Sequence, residues 1–475
     1  MQAANLIEFE SQRFSPQEVK TRVARALISA LERECKTYCL LSGYEQLPDD
    51  FETEIRFMVN HEDFENMSSI IAQVAKQTST QLFHSVDRET TERSYSLASQ
   101  CGSEMTIVQV VCSSDCRDSG LLMLRGEEVL AARRWRPRGF WIPACAHQFA
   151  FSLSQRLKKA EFSRQDGLEL SRLYAEDCRA CDQVIARFWQ KPQYVLLSRM
   201  AASNDWTAIH ESMEVPRCAL KQTTSESFVE KITKGSEREI RRYRRLSSHG
   251  GGWIALIGPS GAGKSAVIDA IRKQFSKAYQ EIHCIEAGAA SPAQGANLLV
   301  EAENKHDPPQ RGMYASIGQL IRLTFGFFQA YVIQIIPAIW HSKLVIFDRY
   351  VYDLLVDSQR FRYKGPQWLI HLATRLSPRP DLVILLDAPA RVLQLRKPEF
   401  PLDEAVEQRA SYLQLVRSMH DSVVINASKP LRDVIHDVES VIVDYYSRRT
   451  ANRLNIHARP PFVTRIDAEA AENQW

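Results

Sequence analysis

The sequence predicts an α/β protein with two domains, an α+β domain followed by a parallel sheet that helices cover on both faces. The chain has 475 residues, which exceeds the length at which a single hydrophobic core stops growing. Short apolar runs alternate with segments of helical periodicity in both halves, as in folds that combine strands and helices. In the second half a glycine-rich loop joins one such strand to a helix.

The composition is that of a folded globular protein, with 44% hydrophobic and 25% charged residues, which excludes wholesale disorder and a fibrous repeat. A net charge of +3 is too small to indicate binding to nucleic acid, so we expect no nucleic-acid partner. The first residues, MQAANLIEFESQRF, lack the pattern of an export signal. We therefore expect a cytoplasmic protein whose ten cysteines are reduced thiols.

The first half, residues 1–190, is expected to form the α+β domain. Apolar positions at helical spacing predict a helix over residues 16–34, and further helices are expected between residues 145 and 190. Short β-rich runs predict strands at residues 37–41, 55–59 and 106–111. The last helix of this domain is expected to end near Trp189. Residues 191–250, with the basic run EREIRRYRRL and the breaker SSHGGG, are typical of a linker that carries a basic helix.

The second half, residues 251–448, is expected to form the parallel sheet, with residues 449–475 as a flexible tail. Its apolar strands are WIALI, KLVIFD, PDLVILLD and SVVINAS. Residues 323–340 carry no charge and have about the minimum length of a bilayer span. They contain several polar residues and Pro337 and lead directly into a strand, so we expect a helix buried in the core and no membrane span.

The loop GPSGAGKS, residues 258–265, has the pattern of a phosphate-binding loop between a strand and a helix. Its glycines allow backbone N–H groups to converge on phosphate oxygens, and the helix directs its positive end at the same anion. We expect Lys264 to reach the β and γ phosphates of ATP and Ser265 to bind Mg²⁺. A plain glycine turn is the alternative. The other residues expected to hold the nucleotide here are Gly258, Ser260, Gly261, Ala262, Gly263 and Ala266.

Two strands of the second half end in an aspartate. Asp348 is expected at the carboxyl edge of the sheet, where it could hold Mg²⁺ through water or orient the attacking group. Arg349 offers a donor fork for a second phosphate, and the alternative for this pair is a strand-end cap beside a surface arginine. Asp387 precedes a turn, and we assign it mainly to capping the helix that begins at Arg391.

The second domain resembles the thymidylate kinase family of P-loop kinases over residues 251–448. GPSGAGKS matches the phosphate loop, FDRY at 347–350 matches the family's Asp-Arg-Tyr/His/Phe motif, and RVLQLRKPEF with EAVEQRASYLQL occupies the place of the lid. SVVINAS resembles the last strand and the loop around adenine. The resemblance implies an ATP-dependent phosphotransferase with MgATP as cofactor and a small phosphorylated acceptor.

The same resemblance implies roles for individual residues. The catalytic residues would be Lys264, Asp348, Arg349 and the lid residues Arg396 and Lys397. Asn426 and Ala427 would contact adenine, and Ser265 and Asp348 would bind the metal. The acceptor would be bound by Asp348, Arg349, Tyr350, Arg360, Arg362 and Arg409.

Departures from the family pattern leave the acceptor open. Pro259 stands where thymidylate kinases usually have an acidic residue, and by spacing from Pro337 the place of their arginine upstream of the Asp-Arg-Tyr motif falls near Phe327. Residues 352–369 do not form the ordinary dTMP pocket and resemble a divergent branch associated with polysaccharide synthesis. Two classes of acceptor therefore stay open: a nucleoside monophosphate, and a phosphorylated sugar or glycan intermediate. A non-catalytic nucleotide-binding regulator, a switch ATPase and a homodimer also stay open.

The first domain resembles a family of small nucleotidyltransferase-like proteins, through CLLSGYEQLPDDFETEIRFMV at 39–59 and GFWIPACAHQFAFSLSQRLKKAEFS at 139–163. Active members carry an Asp-x-Asp pair that binds Mg²⁺, and here the corresponding residues are Glu54 and Arg56, with Val111 in place of a third acid. An arginine repels a metal ion. We therefore predict a degenerate domain without nucleotidyl transfer, which binds a ligand or the kinase half.

Overall fold

The computed structural model forms two compact units, one made of Ser15–Leu97 and Val108–Arg244 and the other containing Arg245–Trp475. The residues that the structure describes are 14–44, 46–49, 51, 54–102, 104–118, 121–159, 162–187, 191–206, 250–279, 281–286, 313–348, 350–356, 363–396, 401–419 and 421–456.

The N-terminal unit combines strands and helices. Its helices are α1 (Pro16–Glu34), α2 (His61–Thr78), α3 (Gly126–Ala131), α4 (Cys145–Lys159), α5 (Arg164–Glu176), α6 (Cys178–Ile185) and α7 (Lys191–Ser203). Its strands are β1 (Tyr38–Ser42), β2 (Glu54–Val59), β3 (Gln81–Glu89), β4 (Glu92–Cys101), β5 (Glu104–Ser113), β6 (Cys116–Asp118), β7 (Leu121–Leu124), β8 (Arg134–Arg136) and β9 (Phe140–Ile142).

The predicted helix over residues 16–34 is confirmed, and its start has a clear local cause. Ser15 accepts a hydrogen bond from the Glu18 backbone while the Glu18 side chain accepts one from Ser15, a capping box that satisfies two otherwise unpaired N–H groups. The three predicted strands are also present, in a sheet of order β1-β2-β5-β4-β3. The neighbours β3 and β4 were missed because their sequences, QLFHSVDRE and ERSYSLASQC, are rich in polar residues. The expected end of the last helix near Trp189 is wrong, since α7 runs to Ser203.

The C-terminal unit alternates strands and helices, as its sequence predicts. Its strands are β10 (Gly252–Ile257), β11 (Ile282–Glu286), β12 (Leu344–Asp348), β13 (Leu382–Asp387) and β14 (Ser422–Asn426). Its helices are α8 (Lys264–Phe275), α9 (Met313–Ala330), a π-helical turn (Tyr331–Ile335), α10 (Ile336–Trp340), α11 (Asp353–Val356), α12 (Gln367–Leu376), α13 (Ala390–Arg396), α14 (Leu402–Arg417) and α15 (Leu431–Leu454).

These strands form one parallel sheet in the order β11-β12-β10-β13-β14. Alternate residues of β10 point to opposite faces, and both Trp253 and Ile254 are buried, so both faces are covered. One face packs with α9 and α14, while α8 and α15 contact each other and the sheet. The order changes direction at β10, which places the carboxyl ends of β12 and β13 on either side of the loop that follows β10.

The charge-free segment before β12 differs from expectation. The helical run Met313–Trp340 has the length and composition of a candidate membrane span, with a mean hydropathy of 1.4 over its best window, yet only 22% of that window is buried. The expectation of a helix buried in the core is therefore wrong. Leu320 and Phe327 do pack into the core, whereas Ile321 and Phe325 are exposed. Apolar composition without charge could not distinguish these two faces.

Candidate active site

The loop between β10 and α8 has the backbone conformation of a phosphate cradle. Gly258, Gly261 and Gly263 all have positive φ angles, of 146°, 88° and 90°. Gly263 also precedes the first turn of α8 and makes no side-chain cap to that helix. Because no side chain covers the first N–H groups of α8, they are directed at the space where an anion would lie.

Lys264 is held inside this loop. Its ammonium group donates to the carbonyl oxygens of Gly258 at 2.8 Å and Pro259 at 3.0 Å, and the residue is only 7% exposed. These contacts place a positive charge under the loop and fix it there at low entropic cost. Ser265 and Ala266 are exposed in the first turn of α8, and Ala262 is buried beneath the loop.

Gly258 must be glycine for two reasons, which gives a first prediction. A Cβ at this position would lie 2.6 Å from the carbonyl oxygen of Leu386, a backbone atom that cannot rotate away. Its φ of 146° is also one that other residues rarely adopt. Gly258→Ala should therefore lower the free energy of unfolding by about 1–3 kcal/mol and weaken ATP binding.

The matched control for this prediction is Gly318→Ala in α9, where an added Cβ meets no atom within 4 Å. Helix propensity predicts that this change raises the free energy of unfolding by about 0.5–1 kcal/mol. Urea-induced unfolding and calorimetric titration with ATP would measure both effects. Equal behaviour of the two variants would contradict the assigned role of Gly258.

Asp348 lies beside the loop because β12 is the neighbour of β10. In the parallel register Asp348 pairs with Leu256, two residues before Gly258. Its Oδ1 atom is buried and has no hydrogen-bond partner among the described residues. A buried carboxylate oxygen without a partner is costly, so this atom is suited to a ligand such as metal-bound water or a hydroxyl group.

The residues at this edge fit Mg²⁺ bound together with a nucleotide. Ser265 supplies a hydroxyl group and Asp348 a carboxylate, both oxygen ligands of the kind that Mg²⁺ prefers. In the part of the chain that the structure describes, no group of three or more His, Cys, Asp or Glu residues could hold a metal alone. A Mg²⁺ ion here would thus take its remaining ligands from phosphate and water.

Asp387 has a different partner from the one expected. Arg409 on α14 donates from Nε to Asp387 Oδ1 at 2.8 Å and from Nη2 to Oδ2 at 2.9 Å, a bidentate ion pair. The helix after Asp387 begins at Ala390, and both carboxylate oxygens are taken by the arginine. The assignment of Asp387 to helix capping is corrected accordingly. The assignment of Arg409 to acceptor binding is also corrected, since its guanidinium group is paired with the Asp387 carboxylate at the end of β13.

The second prediction is that breaking this ion pair destabilises the C-terminal unit. The Asp387 side chain is 4% exposed and that of Arg409 is 21% exposed. Asp387→Asn leaves a mostly buried guanidinium group without its counter-charge, and we expect the free energy of unfolding to fall by about 2–3 kcal/mol.

Asp421→Asn, at an exposed position before β14, is the matched control and should change stability by less than about 0.5 kcal/mol. Urea-induced unfolding of the variants measures the difference. Combining Asp387→Asn with Arg409→Met should recover part of the loss, because the unpaired charge is then removed. A loss that is strictly additive in the double variant would contradict the pairing.

The predicted adenine loop and one lid residue come together at the next strand end. Ala427 donates its N–H to the Asp387 carbonyl oxygen at 2.6 Å, and its own carbonyl oxygen accepts from Nη1 of Arg396 at 2.9 Å. Asn426 Oδ1 accepts from the Ser428 backbone at 2.9 Å and from its hydroxyl group at 2.6 Å. Arg396 is otherwise exposed, at the end of α13.

Tyr350 does not face the site, contrary to the prediction. It is buried among aromatic rings, with T-shaped contacts to Phe327, Phe347 and Tyr352, and its hydroxyl group donates to the Pro378 carbonyl oxygen. Burial raises the pKa of this phenol. Its assignment to acceptor binding is therefore wrong. Phe327, near which the family's arginine was expected, belongs to the same apolar cluster and provides no charge.

Four of the predicted basic site residues lie outside the described residues: Arg349, Arg360, Arg362 and Lys397. Sequence reasoning missed the buried pair of Tyr412 and Asp353, in which the phenol donates to the Asp353 carboxylate at 2.8 Å. This contact fixes α14 to α11, directly after the FDRY motif. A polar residue in the middle of an apolar run, as in YDLLV, was the available signal.

The chain is similar to several curated proteins. A probable thymidylate kinase of Thermococcus gammatolerans is 28% identical over 217 residues, which cover 40% of this chain and 95% of that protein. The thymidylate kinase of Leuconostoc citreum is 25% identical over 218 residues, or 42% of this chain and 97% of that protein. A probable thymidylate kinase of Pyrococcus horikoshii is 34% identical over 116 residues, or 23% of this chain and 56% of that protein. No protein-family model matches the chain.

These similarities support a thymidylate kinase-like domain that occupies about 40% of the chain. The fold of the C-terminal unit, a parallel sheet with helices, is consistent with a P-loop kinase. At the level of the family, the similarities support a phosphotransferase of the nucleoside monophosphate kinase type.

Proposed function

We propose that the C-terminal unit transfers the γ-phosphate of ATP to the phosphate group of a small acceptor. The main support for this proposal is the position of Lys264, which is buried under a loop with three positive-φ glycines. The strand that leads into this loop, β10, pairs with β12, which ends in Asp348. The triphosphate would bind the loop, and the acceptor would lie near the end of β12. We propose a nucleoside monophosphate as the acceptor.

The chain's own residues contribute position and charge, which is most of what phosphoryl transfer requires. Lys264 compensates negative charge on the transferred phosphoryl group, and the N–H groups of the loop orient the phosphate oxygens. Asp348 would position the acceptor, or a water on Mg²⁺ when the metal is bound, through its Oδ1 atom, which has no hydrogen-bond partner among the described residues. When bound, Mg²⁺ would neutralise charge on the β and γ phosphates. Arg349, Arg396 and Lys397 are proposed to add positive charge around the transfer site.

The acceptor can be identified with labelled ATP. The protein would be incubated with γ-labelled ATP, Mg²⁺ and either a panel of nucleoside monophosphates or a metabolite extract, and the labelled product analysed by mass spectrometry. We expect label on a nucleotide. A phosphorylated sugar or glycan intermediate as product would favour the second candidate, in keeping with the apolar surroundings of Phe327 near the place expected for the family's arginine. Tight ATP binding without product in any mixture would instead favour a regulatory protein.

For the N-terminal unit we propose a degenerate nucleotidyltransferase-like domain without transfer activity. Arg56 donates from Nε to Glu54 Oε1 at 2.6 Å and pairs in register with Val111. Its guanidinium group also lies 3.8 Å from Glu92, so the acids at this position are neutralised by an arginine and not available to a metal. The full chain carrying Lys264→Ala should transfer no nucleotidyl group from labelled nucleoside triphosphates. A labelled nucleotidyl product from that variant would contradict this.

A further inference from the structure

Helix α14 makes polar contacts at the ends of both strands that neighbour β10, the strand that leads into the phosphate loop. Arg409 binds the carboxylate of Asp387, the last residue of β13. Tyr412 donates its hydroxyl group to Asp353 Oδ1 at 2.8 Å, and Asp353 begins α11, shortly after β12 ends at Asp348. Since Arg409 and Tyr412 are three residues apart, they lie on the same side of the helix. One side of α14 is therefore bonded to the chain on both flanks of the loop.

The segment that contains Asp353 is a compact turn. The Asp353 N–H donates to the Tyr350 carbonyl oxygen at 2.9 Å, and the Leu354 N–H donates to that of Val351 at 3.2 Å. Only one residue separates this turn from Asp348 in the chain. Because the turn is held together by its own backbone, a side chain that fixes Asp353 also restrains the end of β12.

The contact between Tyr412 and Asp353 is buried, with 5% and 4% of these residues exposed. Removing a carboxyl group from water costs free energy that hydrogen bonds only offset. The neighbours Val351 and Leu354 belong to the apolar core cluster, where two apolar side chains would pack without that cost. A hydrogen bond differs from apolar packing in being directional. The pair is therefore better suited to fixing geometry than to adding stability.

We propose that Tyr412 is a positioning residue for phosphoryl transfer, and that it acts through Asp353 on the placement of Asp348 beside the phosphate loop. This role rests on the function proposed above, in which Asp348 positions the acceptor or a water on Mg²⁺. Arg409 fixes the same helix to β13, so the Tyr412 hydroxyl group is held at a defined place from which to bind Asp353. Tyr412 itself lies in the core cluster and reaches the site only through these residues.

Tyr412→Phe tests this role, because it removes one hydroxyl group and keeps the ring. With γ-labelled ATP, Mg²⁺ and an equimolar mixture of AMP, GMP, CMP, UMP and dTMP, we expect the transfer rate to fall about tenfold. Affinity for ATP in calorimetric titration should be unchanged, since the contacts of the phosphate loop are kept. Asp353→Asn retains an oxygen that accepts from Tyr412 and should keep most of the rate.

A double-variant cycle separates positioning from a merely structural role. In the Asp348→Asn background, Tyr412→Phe should lower the rate by less than about twofold, because the residue through which it acts is already changed. A tyrosine that only stabilises the fold would cost the same factor in both backgrounds. Urea-induced unfolding checks that each variant is folded under the assay conditions.

Tyr174→Phe is the matched control, because Tyr174 donates to Asp182 at 3.0 Å in the N-terminal unit. It should leave the transfer rate unchanged. Hydrogen–deuterium exchange of the amides of residues 350–356 examines the turn without any acceptor, and it should be about fivefold faster in Tyr412→Phe but not in Tyr174→Phe.

Three results would overturn the positioning role: unchanged exchange in Tyr412→Phe, an equal loss of rate in Tyr174→Phe, or equal losses in the two Asp348 backgrounds. If the unaltered protein labels none of the five nucleotides, the proposed nucleotide acceptor fails instead. Exchange at residues 350–356 then decides by itself whether Tyr412 holds the turn.

Discussion

Lys264→Ala should reduce phosphoryl transfer by roughly a thousandfold or more while leaving the fold intact. The lysine is the one residue of the loop that places a full positive charge beneath the phosphates, and its two carbonyl contacts hold it there before substrate arrives. Removing it costs transition-state stabilisation that no neighbouring described side chain of the loop replaces. The rate of product formation with saturating ATP measures the effect, and circular dichroism checks the fold.

Lys273→Ala provides the matched control for Lys264→Ala. Lys273 lies on the same helix, α8, but is exposed and far along it from the loop. Its replacement removes an equal charge without touching the cradle and should change the rate less than twofold. If Lys264→Ala retains more than a tenth of the activity of the unaltered protein, phosphoryl transfer at this loop is contradicted, whichever acceptor is used.

The phosphate loop could be read from the sequence because backbone groups form it. A site made of backbone N–H groups favours glycine wherever φ is positive. The glycines at positions 258, 261 and 263 therefore indicated the positive φ angles that the structure has there. The strands could be predicted for a similar reason. Central parallel strands are buried on both faces and therefore appear as continuous apolar runs, as in the segment LVIFD of β12.

Partnerships between side chains could not be predicted in the same way. Arg409 and Asp387 are 22 residues apart in sequence and meet only because α14 packs against β13. Tyr350 belongs to a motif associated with substrate, yet Phe327, one of the rings around it, comes from a different element. The exposed side of α9 was hidden for a related reason. A mainly apolar helix has the same composition whether one side or all sides are covered.

Asp348→Asn is the variant that separates a catalytic carboxylate from a strand-end cap. The amide keeps the shape of the side chain but removes the charge that would hold metal-bound water or orient the acceptor. We expect the transfer rate to fall on the order of a hundredfold, and the Mg²⁺ concentration for half-maximal activity to rise tenfold or more. Rates measured over a range of Mg²⁺ concentrations show both changes.

Stability decides between the two roles for Asp348. Oδ1 of this residue is buried and lacks a hydrogen-bond partner among the described residues, so the carboxylate destabilises the protein when no ligand is bound. Replacing it by the neutral amide should leave the free energy of unfolding unchanged or raise it, whereas removal of a structural cap would lower it by about 1 kcal/mol. Asp269→Asn, an exposed acid on α8, is the control and should alter neither activity nor stability. A destabilised Asp348→Asn variant with full activity would identify a cap, and the carboxylate would then have no part in the transfer.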